Sequence, residues 1–341
     1  MHPFTDRPTE SVTALGETGV IAAIRNWLGS ASPRAPFGIG DDCAVVPAPK
    51  GRLLLTVDPV IYGQHFDDRV APRAAGEKLF KRNLSDIAAM GGRPRAAVVA
   101  LAFDGRVKTE WLAEFYRGLA RIGRKYRVPL VGGDIAQLPG GIVATLTLLG
   151  EARGPRILTR SGAKSGDWIY VTGTLGGSLS GHHWRFAPRL AEGAWLAKQA
   201  QVRAMMDVSD GLAKDLPALM PRGTRPQLVA AAVPISAAAR RAARSSGSSA
   251  LSHALSDGED YELLFVVSGY ADVDAFERKW KRAFPSVRLS RLGQFVPRSA
   301  RSAGDETVLD LAAYRGFEHL VGNAGGSAAA PREVARSLAR P

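Results

Sequence analysis

The stretch NLSDIAAMGGRPRAAVVALAF, residues 83–103, decides the fold. Its first eight residues close an apolar helix predicted from about 74 to 90, Gly91-Gly92 interrupts it, and 96–103 is an apolar run of strand length. Working outward, strand-like runs recur at 43–46, 53–57 and 142–149, and 128–131 runs apolar into Gly132-Gly133. Helical spacing fits 17–28 and 109–126. Strands mixed with helices predict an α/β or α+β domain over 1–150.

The segment 151–165, with EARGP and RSGAKS, reads as a boundary. Past it, 168–172 and 262–267 read as strands, 271–284 as a helix, and 236–252 as helix followed by flexible loop. That predicts a second domain over 151–321. From 322 to 341 the chain is Gly, Ala, Ser and Arg with few anchors, and reads as a disordered tail. A length of 341 residues suits two domains, and 45% apolar content excludes wholesale disorder.

One cysteine, Cys43, permits neither an internal disulfide nor a multi-Cys zinc site. The longest apolar runs are far short of the ~18–20 residues that span a bilayer, and the start MHPFTDRPTE has no secretory pattern. A soluble, cytoplasmic protein is expected, with no membrane partner. Lys plus Arg number 45 against 32 Asp plus Glu, a net charge of +13. That excess favours an anionic partner without choosing between nucleic acid, a membrane surface and a phosphorylated metabolite.

The aspartates are more informative. Asp58 ends the run 53–57, Asp134 follows Gly132-Gly133, Asp207 follows Met205-Met206 with Asp210 three residues on, Asp41-Asp42 heads 43–46, and Asp86 lies in the apolar helix. A carboxylate in apolar surroundings is costly unless paired, protonated or metal-bound. Several together point to a hard cation such as Mg²⁺, with neighbouring glycines admitting phosphate. Each one alone also fits a cap or turn, and Ser209-Asp210-Gly211 fits a cap for the helix after it.

Other signals are absent or weak. No P-loop, kinase H-R-D or D-F-G set, or H-E-x-x-H occurs. The Gly-rich turn 173–177 follows a strand and is a weak phosphate signal. His182-His183 reads as surface helix or loop from its polar neighbours.

GIGDDCAVV (38–46), VDPVIYGQHF (57–66), NLSDIAAMGGRP (83–94), VPLVGGD (128–134), LTRSGAKSGDWIYVTGTLG (158–176), MMDVSDGLAKDL (205–216) and LSDGEDYELLF (255–265) resemble the thiamine-monophosphate kinase family, in its order and over about residues 10–320. The resemblance implies a PurM-like fold: an N-terminal α/β domain whose sheet joins its twin's in a homodimer, and a C-terminal α+β domain. It implies transfer of the ATP γ-phosphoryl to thiamine monophosphate with several Mg²⁺ ions. Carried over by motif, Asp42, Asp58, Asp86, Asp134, Asp207 and Asp210 are implied Mg²⁺ ligands, with Asp41 adjacent. Tyr116, Gly133, Arg160 and Ser209 are implied to meet the nucleotide, and His65, Glu259 and Phe317 to line the thiamine site. Tyr116 and Phe317 fit core aromatics equally, and Arg160 a surface ion pair.

Several positions depart from the family strings: Val57 for Thr, Ile61-Tyr62 for Val-Glu, Ile135 for Thr, Gly177 for Asp and Asp257 for Gly. They bear on the acceptor more than on ATP or metal. A superfamily relative with another acceptor is the competing enzyme reading, and a nucleotide-binding regulatory protein without turnover the non-enzymatic one. A nucleic-acid module has charge alone in its favour. Both reactants being phosphates, alignment and charge neutralisation suffice and no general base is implied. Setting the seven aspartates of one expected cation cleft apart from the 32 acids leaves 25 against 45 bases, so the excess reads as a basic surface around an acidic cleft.

Overall fold

The structure, a computed structural model, describes residues 1–152, 156–300 and 309–317. The expected tail at 322–341 lies outside the described residues. The first half contains α1 (Gly16–Leu28), β1 (Arg52–Ile61), α2 (Pro72–Ala89), β2 (Arg93–Phe103), α3 (Thr109–Tyr126), β3 (Leu130–Gln137) and β4 (Ile142–Ala152). Its sheet has the order β1-β4-β2-β3, with β4 antiparallel to both neighbours and β2 parallel to β3. The parallel pair is joined through α3, as a crossover requires.

Period-2 patterning sorts the two faces of that sheet. Leu54 and Val60 of β1, with Val99, Leu101, Leu146 and Leu148, are buried with Leu79, Phe80 and Leu84 of α2 and Leu112, Phe115 and Leu119 of α3. Leu53, Leu55 and Val57 point the other way and are 56%, 66% and 58% exposed, with Val98 beside them.

The second half contains β5 (Trp168–Thr172), α4 (His182–Arg185), α5 (Leu190–Leu196), β6 (Val202–Asp207), α6 (Leu212–Asp215), β7 (Thr224–Leu228), α7 (Ala237–Ala242), α8 (Ala250–Ser256), β8 (Leu263–Val267), α9 (Val273–Ala283) and β9 (Leu289–Pro297). They build an antiparallel sheet of order β6-β8-β5-β9-β7. Both of its faces are covered: Ile169, Leu264 and Leu292 belong to one core, Tyr170, Phe265, Phe276 and Trp280 to another. Hence β8 reads as an unbroken apolar run.

Two expectations change. Residues 43–46 form no strand; Pro33, Pro36, Pro47 and Pro49 surround them, and Val45 is exposed. Prolines withhold the donors a ladder needs. The stretch 236–252 holds α7 and the start of α8, each capped by a serine, Ser236 and Ser249.

Candidate active site

Four expected metal ligands meet at one cavity of about 350 Å³ between the two halves: Asp58, Asp86, Asp207 and Asp210. Alternation on β1 puts Thr56 and Asp58 on the face that looks at α2, where the Thr56 hydroxyl donates to Asp86 Oδ2. Asp207 is buried at the end of β6, and Ser85 Oγ of α2 donates to its Oδ2 at 2.6 Å. Burial and the charges of Asp207 and Asp58 push the Asp86 carboxyl up to about 8, against the Thr56 bond and Arg82. Burial likewise raises Asp207, with the Ser85 bond opposing it.

Such acids repel one another, and a hard divalent cation relieves the repulsion. The donors are all carboxylate oxygens, which suits Mg²⁺. Among the described residues no three His, Cys, Asp or Glu are gathered closely enough to hold one metal ion. Mg²⁺ does not need three, since one or two carboxylates with waters and substrate phosphates complete its shell.

The loop after β6 differs from the capping expectation. Asp215 of α6, not Asp210, takes the free amides: its Oδ2 accepts from Ser209 N and Asp210 N, both at 3.0 Å. Burial pushes Asp215 up to about 7 despite those bonds. The Asp210 carboxylate thereby faces the cavity, with Lys214 Nζ at 3.0 Å. Asp215 escaped the sequence reading because an acid inside a short helix looks like a solvated one.

The same cavity is lined by His65, Ser209, Glu259 and Phe317. His65 Nδ1 accepts from Ile61 N at 3.1 Å, and Phe317 is anchored through its backbone N to Asp210 O at 3.0 Å. Glu259 and Tyr261 both have positive φ, 53° and 52°, conformations costly for side-chain-bearing residues. What holds Glu259 there is Lys78 of α2, fully buried, whose Nζ lies 2.7 Å from Glu259 Oε1, His65 O and His183 Nδ1. Burial alone would raise the Glu259 carboxyl; His183 and Lys78 outweigh it and hold it at about 2. His183 is therefore no surface residue, and Lys78, which brings it inside, has no motif of its own.

The turn 173–177 does not present all its amides to a ligand, because Gly176 N donates to Asp260 at 2.8 Å and Gly177 N to Asp257 at 2.7 Å. Two of the departures, Gly177 and Asp257, thus meet each other. Val57 points away from Asp58, so the hydroxyl it lacks belongs to the opposite face.

Asp41, Asp42 and Asp134 lie elsewhere, in a second cavity of about 430 Å³ with Tyr116 and Gly133. Asp58 and Asp134 stand on opposite edge strands of the first sheet, three strand spacings or about 14 Å apart. Gly133 is required there: a Cβ would lie 2.0 Å from Val99 O. Tyr116 is buried, its ring 6.2 Å from that of Trp27. Arg160 borders a third space of about 350 Å³ with Thr56, Asp86 and Asp207. The one expected cleft is thus three spaces, two of which share Asp86 and Asp207, while the one with Asp41, Asp42 and Asp134 shares no lining residue with either.

Known proteins agree with this architecture. The family model for AIR synthase related protein, N-terminal domain, matches residues 40–152. The thiamine-monophosphate kinase of Rhodopirellula baltica is 36% identical over 277 residues, covering 78% of this chain and 85% of that protein. A solved thiamine-monophosphate kinase from Stenotrophomonas maltophilia K279a has 28% identity and a TM-score of 0.69, over 81% of this chain and 93% of that one. AaThiL complexed with AMPPCP and TMP has 28% identity and a TM-score of 0.66, over 93% of this chain and 100% of that one. These likenesses bear out the PurM-like fold, and by them the chain belongs to the thiamine-monophosphate kinase family.

Proposed function

We propose that this chain transfers the γ-phosphoryl of ATP to the phosphate of thiamine monophosphate, giving thiamine diphosphate and ADP. The observation that carries the reading is the meeting of Asp58, Asp86, Asp207 and Asp210 with His65, Glu259 and Phe317 around one cavity, in a chain of this family. The complex of AaThiL with AMPPCP and TMP supports the same pair of ligands.

In this reading His65, Glu259 and Phe317 receive the thiamine moiety. Tyr116, Gly133, Arg160 and Ser209 meet the nucleotide. Asp58, Asp86, Asp207 and Asp210 hold Mg²⁺ at the reacting phosphates, and Asp42 and Asp134 hold it on the nucleotide side. When bound, Mg²⁺ supplies positive charge against the phosphate oxygens of both substrates. The acceptor oxygen is already ionised near neutral pH, so no side chain need remove a proton. The work of the chain is to align two anions and keep water out.

A homodimer belongs to the proposal, supported by the exposed apolar row Leu53, Leu55, Val57 and Val98 on the outer sheet face. So does a division of the chain near residue 150, supported by two sheets that share no strand. A cytoplasmic setting is supported by the lone Cys43. Among the described residues no helix is long and apolar enough to cross a membrane.

The test is to incubate the protein with Mg-ATP and either thiamine monophosphate or free thiamine. Thiamine diphosphate formed from the monophosphate alone supports the reading. ATP binding without any phosphorylated product would replace it with a nucleotide-binding protein lacking turnover.

A further inference from the structure

The cavity holding the four aspartates is lined by six carboxylates, the others being Asp257 and Glu259. A phosphate group entering it meets strong repulsion unless fixed positive charge is already there. Lys214 and Lys78 pair with Asp210 and Glu259 from behind, and among the described residues that line the cavity itself Arg82 is the one guanidinium or ammonium group. Arg82 stands one turn before Asp86 on α2, so both side chains leave the same helix face.

Its guanidinium is pinned from one side. Nη1 donates to Pro59 O at 2.9 Å, and Nη2 reaches Asp58 Oδ1 only at 3.4 Å. Nε is buried and has no hydrogen-bond partner. An arginine carries five N–H donors in a planar fork, and Nη1 and Nη2 each keep a second N–H beyond the bonds to Pro59 and Asp58; a donor left unmade costs free energy that an incoming oxygen recovers. The fork matches phosphate better than an ammonium does.

We infer that Arg82 binds the phosphate of the acceptor directly, as the fixed cation of the acceptor cavity, and so helps the enzyme select a phosphorylated acceptor over its unphosphorylated form. The inference rests on the proposed function. It goes beyond it in placing a protein cation, besides metal, on the acceptor's reacting group. The side is set by the balance of neighbours: Arg82 shares its cavity with His65, Glu259 and Phe317 and, of the four residues given to the nucleotide, with Ser209 alone, not with Tyr116, Gly133 or Arg160.

The experiment is equilibrium binding of thiamine monophosphate and of thiamine, in Mg²⁺ without nucleotide, to wild type, Arg82→Gln and Arg82→Lys. Wild type should prefer the monophosphate. Arg82→Gln should weaken the monophosphate by about 10- to 100-fold, as for loss of a charge-assisted bond, with thiamine affinity unchanged. Arg82→Lys, which keeps charge and loses the fork, should fall between, and serves if the Gln variant does not fold. An unchanged ratio in the variants overturns the inference, as does equal weakening of both ligands, which marks a structural role. Weaker binding of AMPPCP with the ratio intact also overturns it, by moving the guanidinium to the donor side. Failure of wild type to bind the monophosphate overturns the proposed acceptor itself, and Arg82 with it.

Discussion

Ser85 Oγ donates to Asp207 Oδ2 at 2.6 Å, tying a helix packed on the first sheet to a strand end of the second. The acceptor is buried, so its loss of a partner is not made good by water. Ser85→Ala should cost about 1–3 kcal/mol, read from urea unfolding in EDTA, with a smaller loss when Mg²⁺ is present. An unchanged midpoint would mean the bond adds nothing to the folded state.

Asp86 sets a pH dependence. Burial with Asp207 and Asp58 lifts its carboxyl from the ordinary 3.8 to about 8. Between those values the folded form keeps a proton that the unfolded chain has released, so stability of the metal-free protein falls as pH rises through that window. Asp86→Asn should flatten this fall in thermal melts from pH 5 to 8. A slope identical to wild type would remove Asp86 as its source.

The same substitution should lower turnover by about a hundredfold or more, with the fold intact by circular dichroism. Near-normal turnover at limiting Mg²⁺ would show that Asp86 does not hold metal.

Glu259 works in the other direction. His183 and Lys78 hold it at about 2 against an ordinary 4.5, so its contribution is present above about pH 4.5 and lost as pH falls toward 2. Glu259→Gln should make acid unfolding shallower in that range. Lys78→Met should be worse, about 3–5 kcal/mol at neutral pH, because it strands a partly buried carboxylate. Urea midpoints measured at pH 3 and pH 7 check both.

Gly133→Ala would place a methyl 2.0 Å from Val99 O and push β3 off β2. A loss of about 1–3 kcal/mol is expected, with AMPPCP binding weakened more than thiamine monophosphate binding. Equal weakening of both would mean β3 does not serve the nucleotide side.

Elements with a strong local period were legible in the sequence. The pattern of 109–126 predicts a helix and α3 has those bounds, and that of 168–172 predicts a strand, which is β5. Pairing was not legible, because strand order depends on contacts far apart in the chain. Asp58 and Asp134 look alike in sequence, each following an apolar run, yet the order β1-β4-β2-β3 sends them to opposite edges. His183 reads as polar surface until Lys78 and Glu259 close around it. Asp215 and Arg82 sit among ordinary helix residues, and only the amides that Asp215 accepts from and the cavity that Arg82 borders distinguish them from solvated charges.

The spacing along α2 has one more consequence. Lys78 meets Glu259 at the proposed thiamine end, and Asp86 stands at the proposed phosphate end, eight residues on. At 1.5 Å per residue the helix sets these points about 12 Å apart along its axis. A helix does not stretch, so under the proposed function α2 acts as a gauge for the acceptor. A molecule one methylene longer or shorter would seat its ring and present its phosphate out of register with the carboxylates.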